Sequence, residues 1–193
     1  MVREILIGVL LAGNVMASDS NKQKVIKGLL KRGISPGNTI ALAANIHQET
    51  GGTFDPGIKQ GYSKQRDAKW FKPSKGGRGT GLVQWDDRRI ALRDFARKRS
   101  KPWSDMDTQL DFIIHELEGK EKKAYKKMNK FDNVLEKTVI VAQDYERAGK
   151  PHMRKRLQEA EKLKDESEMY VFSPDDYASK LREAFYKAKK NRK

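Results

Sequence analysis

The chain has 193 residues, which suits one domain of ordinary size and is too short for two full enzyme domains. Charged residues make up 35% of the sequence and hydrophobic residues 37%, a polar composition in which three Trp, six Tyr and seven Phe still suffice to anchor a core. Because the sequence has no cysteine, it excludes disulfide scaffolds, thiolate zinc sites, iron–sulfur clusters and cysteine nucleophiles.

The formal net charge of +15 indicates an anionic partner, such as nucleic acid, anionic lipid or a bacterial cell-wall polymer. The charge is concentrated in one part of the chain, which we call the basic segment, residues 59–101. This segment contains fourteen Lys and Arg against four Asp and Glu, a net charge of +10. We therefore expect the charge to serve a local surface rather than general solubility.

Residues 1–20 form an N-terminal apolar segment. Its core, residues 5–12, is mostly apolar, and Val15 and Ala17 fit the small residues that precede a signal-peptidase site. A run of about eight apolar residues lies at the lower limit for a signal peptide and far below a membrane span. We expect a packed helix or an assembly contact here in preference to a signal segment, and no stable membrane span.

Helical hydrophobic spacing dominates the chain beyond this segment. A first predicted helix ends at Gly33. A second begins at Ser35 and Pro36, as N-cap and first helical residue, and ends near Thr50. The glycine-rich residues 51–82 are predicted to form a loop or a short hairpin without helix. Further helices are predicted at residues 86–99, 108–118, 121–129, 134–146, 153–168 and 175–190.

The sequence therefore indicates a mainly α fold, a helical domain with a small β-like or irregular insert and additional C-terminal helices. Thr108 and Asp111 have the spacing of a capping box, which predicts that one helix begins at Thr108. The residues 149–151 read Gly-Lys-Pro and mark a break before the last helices.

Glu49 is the first candidate for chemistry. On a helical wheel it lies beside Asn45 and on the face of Leu42 and Ile46, and alanines fill the other faces, so this helix is predicted to be central. A glutamate in the last turn of a buried helix is costly unless it is paired or protonated. Desolvation and the C-terminal end of the helix dipole both favour the protonated form, which suits a general acid. A solvated glutamate at a helix end fits the same pattern.

Two further segments offer polar and aromatic groups to a ligand. Glycines within residues 79–81 allow close approach of a backbone, Gln84 carries a directional amide and Trp85 a flat apolar face, a combination that suits sugar binding. A tight turn with a core tryptophan is the alternative. In the second segment a predicted helix ends in a Tyr-Glu-Arg cluster, residues 145–147, where the arginine is expected to pair with its neighbouring glutamate.

Four motifs thus follow each other along the chain. They are Glu49-Thr50 with Phe54-Asp55-Pro56, then Gly81 to Trp85 with Arg88 and Arg89, then Asp107, Gln109, Leu110 and Phe112, and finally Tyr145-Glu146-Arg147. In this order they resemble the phage tail lysozyme family, within the lysozyme and lytic-transglycosylase superfamily, over residues 22–151. The long basic loop 57–78 and a threonine in place of the usual serine at Thr50 depart from the family pattern.

The resemblance implies an α+β lysozyme-like fold whose insert lines a cleft. It divides the chain into the N-terminal segment 1–20, a catalytic domain 21–151 and a basic helical C-terminal extension 152–193. It also implies cleavage of the β-1,4 bond between N-acetylmuramic acid and N-acetylglucosamine in peptidoglycan, with Glu49 as general acid. The substrate-binding residues that we expect are Gln84, Trp85, Tyr145, Glu146 and Asn45.

A second carboxylate would decide the course of the reaction. A separation of about 5–5.5 Å from the acid predicts retention, and about 6.5–9.5 Å predicts inversion. Lytic transglycosylases need none, because the sugar's own 6-hydroxyl attacks. The candidates are Asp55, Asp86 and Asp87, with Glu146 as a fourth. For Asp86 and Asp87 we favour a role in capping the following helix.

No metal or cofactor is expected, because His47, His115 and His152 are isolated and form no His-x-x-x-His pair. The expected partners are bacterial peptidoglycan and other phage tail or internal virion proteins. The expected location is the virion, with action in the bacterial periplasm or cell wall. There the basic segment is expected to form a positive rim around the cleft that attracts the anionic envelope.

Two alternatives remain open. Lysines and arginines alternate with Tyr62, Trp70 and Phe71 in the basic segment, a pattern typical of proteins that bind single-stranded nucleic acid. A nucleic-acid-binding virion protein is therefore one alternative. The other is a structural virion protein that keeps the lysozyme-like fold without activity, and the presence of Glu49 speaks against it.

Overall fold

Eight α-helices make up most of the part of the protein that the computed structural model describes, residues 20–73 and 76–171. The fold is mainly α, as predicted. In chain order the helices are α1 (Asn21–Lys31), α2 (Pro36–Glu49), α3 (Asp67–Trp70), α4 (Arg89–Arg97), α5 (Met106–Glu118), α6 (Lys122–Met128), α7 (Val134–Ile140) and α8 (Met153–Val171). The predicted helix 175–190 and residues 1–19 of the N-terminal segment lie outside the described residues.

α2 is the central helix and packs against α1, α7 and α8. Pro36 occupies its first turn after the N-cap residue Ser35, and Thr50 follows its last residue. Gly51 then takes a positive φ, which a glycine adopts without steric strain and which turns the chain away from the helix axis. All side chains from Ala41 to Ile46 are buried, so the predicted central position of this helix is confirmed.

The loop between α2 and α4 contains the insert. Lys59 and Thr80 form one isolated antiparallel β-bridge, and Gln60–Tyr62 form a 3-10 turn. The prediction that residues 51–82 contain no helix was wrong, because α3 forms a single helical turn within them. Trp70 explains this turn: its side chain is buried, and its Nε1–H donates a hydrogen bond to Thr80 Oγ1 at 2.8 Å.

Two arginines of the basic segment hold the insert together. Arg89 is 1% exposed, and its guanidinium donates hydrogen bonds to the carbonyl oxygens of Trp70 and Lys72. Arg78 donates from one nitrogen to three carbonyl oxygens of the same stretch, at 2.9–3.0 Å. Part of the positive charge of this segment therefore satisfies backbone carbonyls in a loop with little regular secondary structure.

α5 begins at Met106, before the predicted start at Thr108, so the predicted capping box is wrong. The N-cap is Asp105, whose carboxylate accepts hydrogen bonds from Thr108 N and Oγ1 at 2.8 and 2.7 Å. The bond from the Thr108 hydroxyl is the main cause that holds the pKa of Asp105 below its usual value. Asp111 instead pairs at 2.7 Å with Arg32, the residue that follows α1, which ties α5 to the end of α1.

A π-helical turn, Val141–Tyr145, follows α7 and replaces the predicted continuation of that helix to residue 146. The N–H of Glu146 donates to the carbonyl of Val141, five residues back, at 2.8 Å. The wider turn buries the Tyr145 side chain completely and directs Glu146 towards Arg156 of α8.

α8 packs along α2 and α7. Its buried side chains, Arg156, Ala160 and Leu163, recur at helical spacing and face the core. Lys22 of α1 pairs with Glu166 of α8 at 2.7 Å. The predicted C-terminal extension therefore begins with a helix that lies directly against the central helix of the fold. Among the described helices, none is both long and apolar enough to cross a membrane.

Candidate active site

A cleft of about 440 Å³ opens where the end of α2, the insert and the turn after α7 meet. Three carboxylates lie on it: Glu49, Asp86 and Glu146. The other side chains on its walls come mainly from the insert and include Lys59, Gln60, Tyr62 and Gln84. The cleft therefore combines acidic groups with amides and one exposed aromatic ring, and Tyr62 is 73% exposed.

Glu49 is the last residue of α2, and its side chain is 21% exposed at the cleft. Its Oε1 accepts a hydrogen bond from Nη2 of Arg156. The next residue is Thr50, whose Oγ1 donates a hydrogen bond to Ile46 O at 2.7 Å and accepts one from Phe54 N at 3.0 Å. This pair of bonds fixes the turn that presents Glu49 to the cleft.

Arg156 of α8 is the residue that sequence analysis missed. It is 1% exposed and joins three parts of the chain. Its Nη1 donates to Glu146 Oε2 at 2.6 Å and to Asn45 Oδ1 at 2.5 Å, and its Nε donates to Pro151 O at 2.6 Å. Because a buried guanidinium is costly without anionic partners, these contacts with Glu49 and Glu146 are needed for it to stay there.

Glu146 lies behind Glu49, and its side chain is only 3% exposed. One carboxylate oxygen, Oε2, accepts a hydrogen bond from Arg156. The other, Oε1, is buried without a hydrogen-bond partner among the described residues. Burial is the main cause that raises the pKa of Glu146 to about 8, with Arg156 opposing the shift and Glu49 adding to it. The expected local pair between Glu146 and Arg147 does not form, because Arg147 binds Glu121 at 2.8 Å.

Asn45 was expected to bind substrate and instead lies fully buried beneath the cleft. Its Nδ2 donates to the carbonyl oxygens of Ala41 and Thr138 at 2.7 and 3.2 Å. These bonds fix the orientation of the amide, so Oδ1 points at Arg156. Asn45 therefore supports the guanidinium and has no surface to offer a sugar.

Gln84 lines the cleft, whereas Trp85 and Tyr145 lie in the core. Trp85 Nε1 and Tyr145 Oη donate hydrogen bonds to Glu116 Oε2 at 2.8 and 2.9 Å, and Arg88 Nη1 donates to the same oxygen at 2.9 Å. Burial and the neighbouring carboxylate raise the pKa of Tyr145 well above its usual value, which keeps it a donor. The core position that was the alternative for Trp85 is the observed one.

Glu116 therefore joins the Gln-Trp motif to the Tyr-Glu-Arg motif. A second buried polar side chain of α5, Gln109 of the third motif, contacts the first and second motifs. Its Oε1 accepts from Leu82 N at 2.8 Å, and its Nε2 donates to Pro56 O at 2.6 Å. Gly81 is required beside it, since a Cβ there would lie 2.5 Å from Gln109 Oε1. All four motifs thus meet through two buried polar side chains of α5.

Of the candidates for a second carboxylate, only Asp86 and Glu146 lie on the cleft. Asp86 does not cap α4: its two oxygens accept from Gly77 N and Arg78 N at 2.8 and 3.0 Å, which closes the insert loop. Asp87 is exposed, and it too makes no side-chain cap bond to this helix. Asp55 is exposed in the turn after α2, where it accepts from Gly57 N at 2.8 Å.

Within the described residues, no group of three or more His, Cys, Asp or Glu side chains forms a cluster that could hold a metal ion. His47 lies 5.9 Å from the Phe54 ring, centroid to centroid. Of the three aromatic residues that suggested nucleic-acid binding, only Tyr62 is exposed. Trp70 and Phe71 are buried, so neither is available to stack on a base.

None of the curated protein sequences compared with the chain matches it. The sequence profile of the phage tail lysozyme family matches residues 20–166, which extends beyond the predicted 22–151 and includes Arg156. The match covers more than half of the chain and all four motifs that form the cleft and its support. The protein therefore belongs to the phage tail lysozyme family.

Proposed function

We propose that this phage lysozyme-like, peptidoglycan-degrading protein is a muramidase that cleaves the β-1,4 bond between N-acetylmuramic acid and N-acetylglucosamine, with Glu49 as general acid. The observation that carries the proposal is the position of Glu49 at the end of the central helix, on an open cleft and backed by the buried Arg156 and Glu146. A general acid must reach the glycosidic oxygen, and Glu49 is the more exposed carboxylate of this group.

In the proposed reaction the proton of Glu49 passes to the glycosidic oxygen as the bond from that oxygen to the anomeric carbon breaks. The developing positive charge at the anomeric carbon must then be met by a nucleophile. Both oxygens of Asp86 already accept backbone hydrogen bonds, and Glu146 is buried against Arg156. This supports attack by water or by the sugar's own 6-hydroxyl rather than by a carboxylate of the protein.

We propose further that the catalytic unit includes α8, because Arg156 contacts Glu49 and because the family profile runs to residue 166. The family supports a tail-associated protein that acts on the cell wall. We propose that it opens the wall locally during infection as a component of the virion, held by other tail or internal virion proteins.

Glu49→Gln tests the proposed role of Glu49. General acid catalysis contributes about 10²–10⁴-fold, so release of muropeptides from purified sacculi should fall at least about a hundredfold at temperatures where circular dichroism shows E49Q to be folded. Because the substitution removes the charge opposite the buried Arg156, we also expect a lower unfolding temperature. Glu118→Gln, an exposed glutamate of α5, is the matched control and should keep full activity. Substantial activity in E49Q would remove Glu49 from the acid role, and an inactive wild type would refute the proposed function.

Mass spectrometry of the released muropeptides distinguishes the two reaction types. Hydrolysis leaves a reducing end, whereas attack by the 6-hydroxyl leaves a 1,6-anhydro end that is lighter by one water. Products of either kind are consistent with Glu49 as acid, and their ratio identifies the nucleophile.

A further inference from the structure

The group formed by Glu49, Arg156 and Glu146 contains two carboxylates for one guanidinium. Arg156 donates one hydrogen bond to each carboxylate, from Nη2 to Glu49 and from Nη1 to Glu146. The guanidinium and the Glu146 carboxylate are almost completely buried, at 1% and 3% exposure. If both carboxylates were ionised, the group would carry an uncompensated negative charge next to a region without solvent, which is strongly unfavourable.

The geometry indicates where a proton is held in the free protein. Glu146 Oε1 is buried and accepts no hydrogen bond from the described residues, while Oε2 takes the bond from Arg156. An ionised carboxylate normally fills both oxygens with donors, and a neutral carboxyl group tolerates an empty one better. Burial raises the pKa of Glu146 to about 8, in agreement with this geometry.

We propose that Glu49 and Glu146 share one proton, which Glu146 stores in the free protein and Glu49 carries in the reactive state, and that Arg156 is the positioning residue that makes the exchange possible. The inference rests on the proposed function, since it concerns the proton that Glu49 delivers. It assigns a role to the Tyr-Glu-Arg motif and to α8 in the supply of that proton.

The exchange conserves charge. When the proton leaves Glu146, the O–H bond of that carboxyl group breaks and an O–H bond forms on Glu49, either directly or through solvent at the cleft. The negative charge then moves from Glu49 to Glu146, where it remains against Arg156, so the group stays neutral throughout. After the proton has passed to the glycosidic oxygen, both carboxylates are ionised beside the one guanidinium. The positive charge that develops at the anomeric carbon offsets this net negative charge, until the attacking hydroxyl group gives up its proton and the pair again holds one proton.

Other charged groups flank this pair. Arg88 at the start of α4 acts on Glu146 and itself contacts Glu116 of α5 and Glu121 before α6. The cleft is also lined by Lys59, Asp86 and Arg147, and His47 of α2 lies 4.0 Å from Glu159 of α8. Glu116 and Glu121 are each bound to an arginine, at 2.9 and 2.8 Å. Asp86 is held by backbone N–H groups. The proposed shared proton therefore lies on the two carboxylates that Arg156 binds.

The pH–rate profile tests this sharing with two opposite substitutions. Glu146→Gln keeps a neutral group on Arg156 but cannot accept the negative charge, so the alkaline limb of kcat/KM should move to lower pH by about one unit or more, with at least about a tenfold loss at pH 7. Arg156→Gln removes the cation that favours ionisation, so the limb should move to higher pH. Arg156→Lys keeps the charge and should hold the limb near its wild-type position.

Lys22→Gln is the matched control, because it removes another contact of α8 at a distance from the cleft, the ion pair with Glu166. It should leave the pH–rate profile unchanged. A purely structural role for Glu146 and Arg156 predicts lower activity in all their variants with an unmoved alkaline limb, and that result would overturn the proposal.

A second measurement does not depend on activity. In wild-type protein labelled with ¹³C at the glutamate carboxyl carbons, one resonance should remain at the protonated position at pH 7 and titrate with a midpoint of about 8. It should be absent from E146Q. A wild-type spectrum with every glutamate ionised at pH 7 overturns the shared proton, whatever the outcome of the sacculus assay. Conversely, an inactive wild type that shows this resonance would refute only the proposed function.

Discussion

Glu116→Gln is the sharpest test of how the cleft is held in shape. A single oxygen of this buried side chain, Oε2, accepts hydrogen bonds from Trp85, Arg88 and Tyr145. Trp85 and Arg88 lie close together at the end of the insert and the start of α4, whereas Tyr145 lies in the π-helical turn, 57 residues after Arg88. The substitution changes no volume, so it isolates the charge and the number of acceptors from packing.

The expected loss follows from what glutamine retains. Its one carbonyl oxygen still accepts from Trp85 and Tyr145, but the charge opposite Arg88 is lost, and a hydrogen bond to a charged group contributes about 1.5–3 kcal/mol. Arg88 still donates a hydrogen bond to the carbonyl oxygen of Tyr145 at 3.2 Å and still forms an ion pair with the Glu121 carboxylate at 3.7 Å. We therefore expect the lower part of that range, a loss of about 2 kcal/mol in the free energy of unfolding. For a domain of this size that corresponds to a fall in Tm of about 4–8 °C.

Urea unfolding at pH 7, followed by tryptophan fluorescence, measures the loss directly, and calorimetry gives the change in Tm. Glu118→Gln is the control, because Glu118 lies on the same helix and is exposed to solvent. If E116Q and E118Q unfold with free energies within about 0.5 kcal/mol of each other, the difference expected for a surface change, then Glu116 does not hold the two motifs together.

Two further predictions concern the turns around the cleft. Gly81→Ala should destabilise the protein by about 1–3 kcal/mol, because Gly81 has a φ of +69° and a Cβ there would lie 2.5 Å from Gln109 Oε1. Gly149→Ala is the matched control, since a Cβ at Gly149 would have no atom within 4 Å. Equal melting temperatures of the two variants would contradict the argument. Asp105→Ala should lower stability by about 0.5–2 kcal/mol at pH 7 by removing the cap of α5. Because the pKa of Asp105 is lowered in the folded protein, its ionic contribution is present above the unfolded value of 3.8 and is lost as the pH falls through the folded value. Urea unfolding should therefore show the wild type and D105A converging below about pH 4, and a constant gap down to pH 2.5 would refute the cause.

The central helix could be predicted closely because its limits are set by local chemistry. Ser35 and Pro36 favour a helix start, Gly51 favours the left-handed turn that ends it, and the apolar residues between them leave no polar face. The position of Glu49 at its end follows from the same local signals. The family motifs were found for a similar reason, since each is a short contiguous pattern.

The partner of Glu49 could not be predicted, because Arg156 is 107 residues away and its neighbours Arg154 and Lys155 are ordinary exposed cations. A signal was nevertheless present. Arg156, Ala160 and Leu163 occupy one face of α8 at positions i, i+4 and i+7, so the arginine stands in line with the buried side chains. A charged residue on the same helix face as buried apolar side chains indicates a buried ion pair.

The interpretation of the Tyr-Glu-Arg motif also failed for a reason beyond sequence spacing. Adjacent Glu146 and Arg147 were expected to pair, but the π-helical turn directs the glutamate inward and Arg147, at a φ of +55°, outward to Glu121. A π-helical turn depends on packing around it rather than on a residue pattern, so helical periodicity alone does not reveal it.

The docking of α8 has a consequence for the order of events during synthesis. The wall of the cleft that bears Glu49 lies early in the chain, whereas Arg156 leaves the ribosome more than a hundred residues later. Contacts of such long range form late in folding, because the loop between them must first be closed. A partly synthesised chain therefore has the glutamate but lacks its cation, and the complete group of charges exists only in a molecule in which α8 is in place.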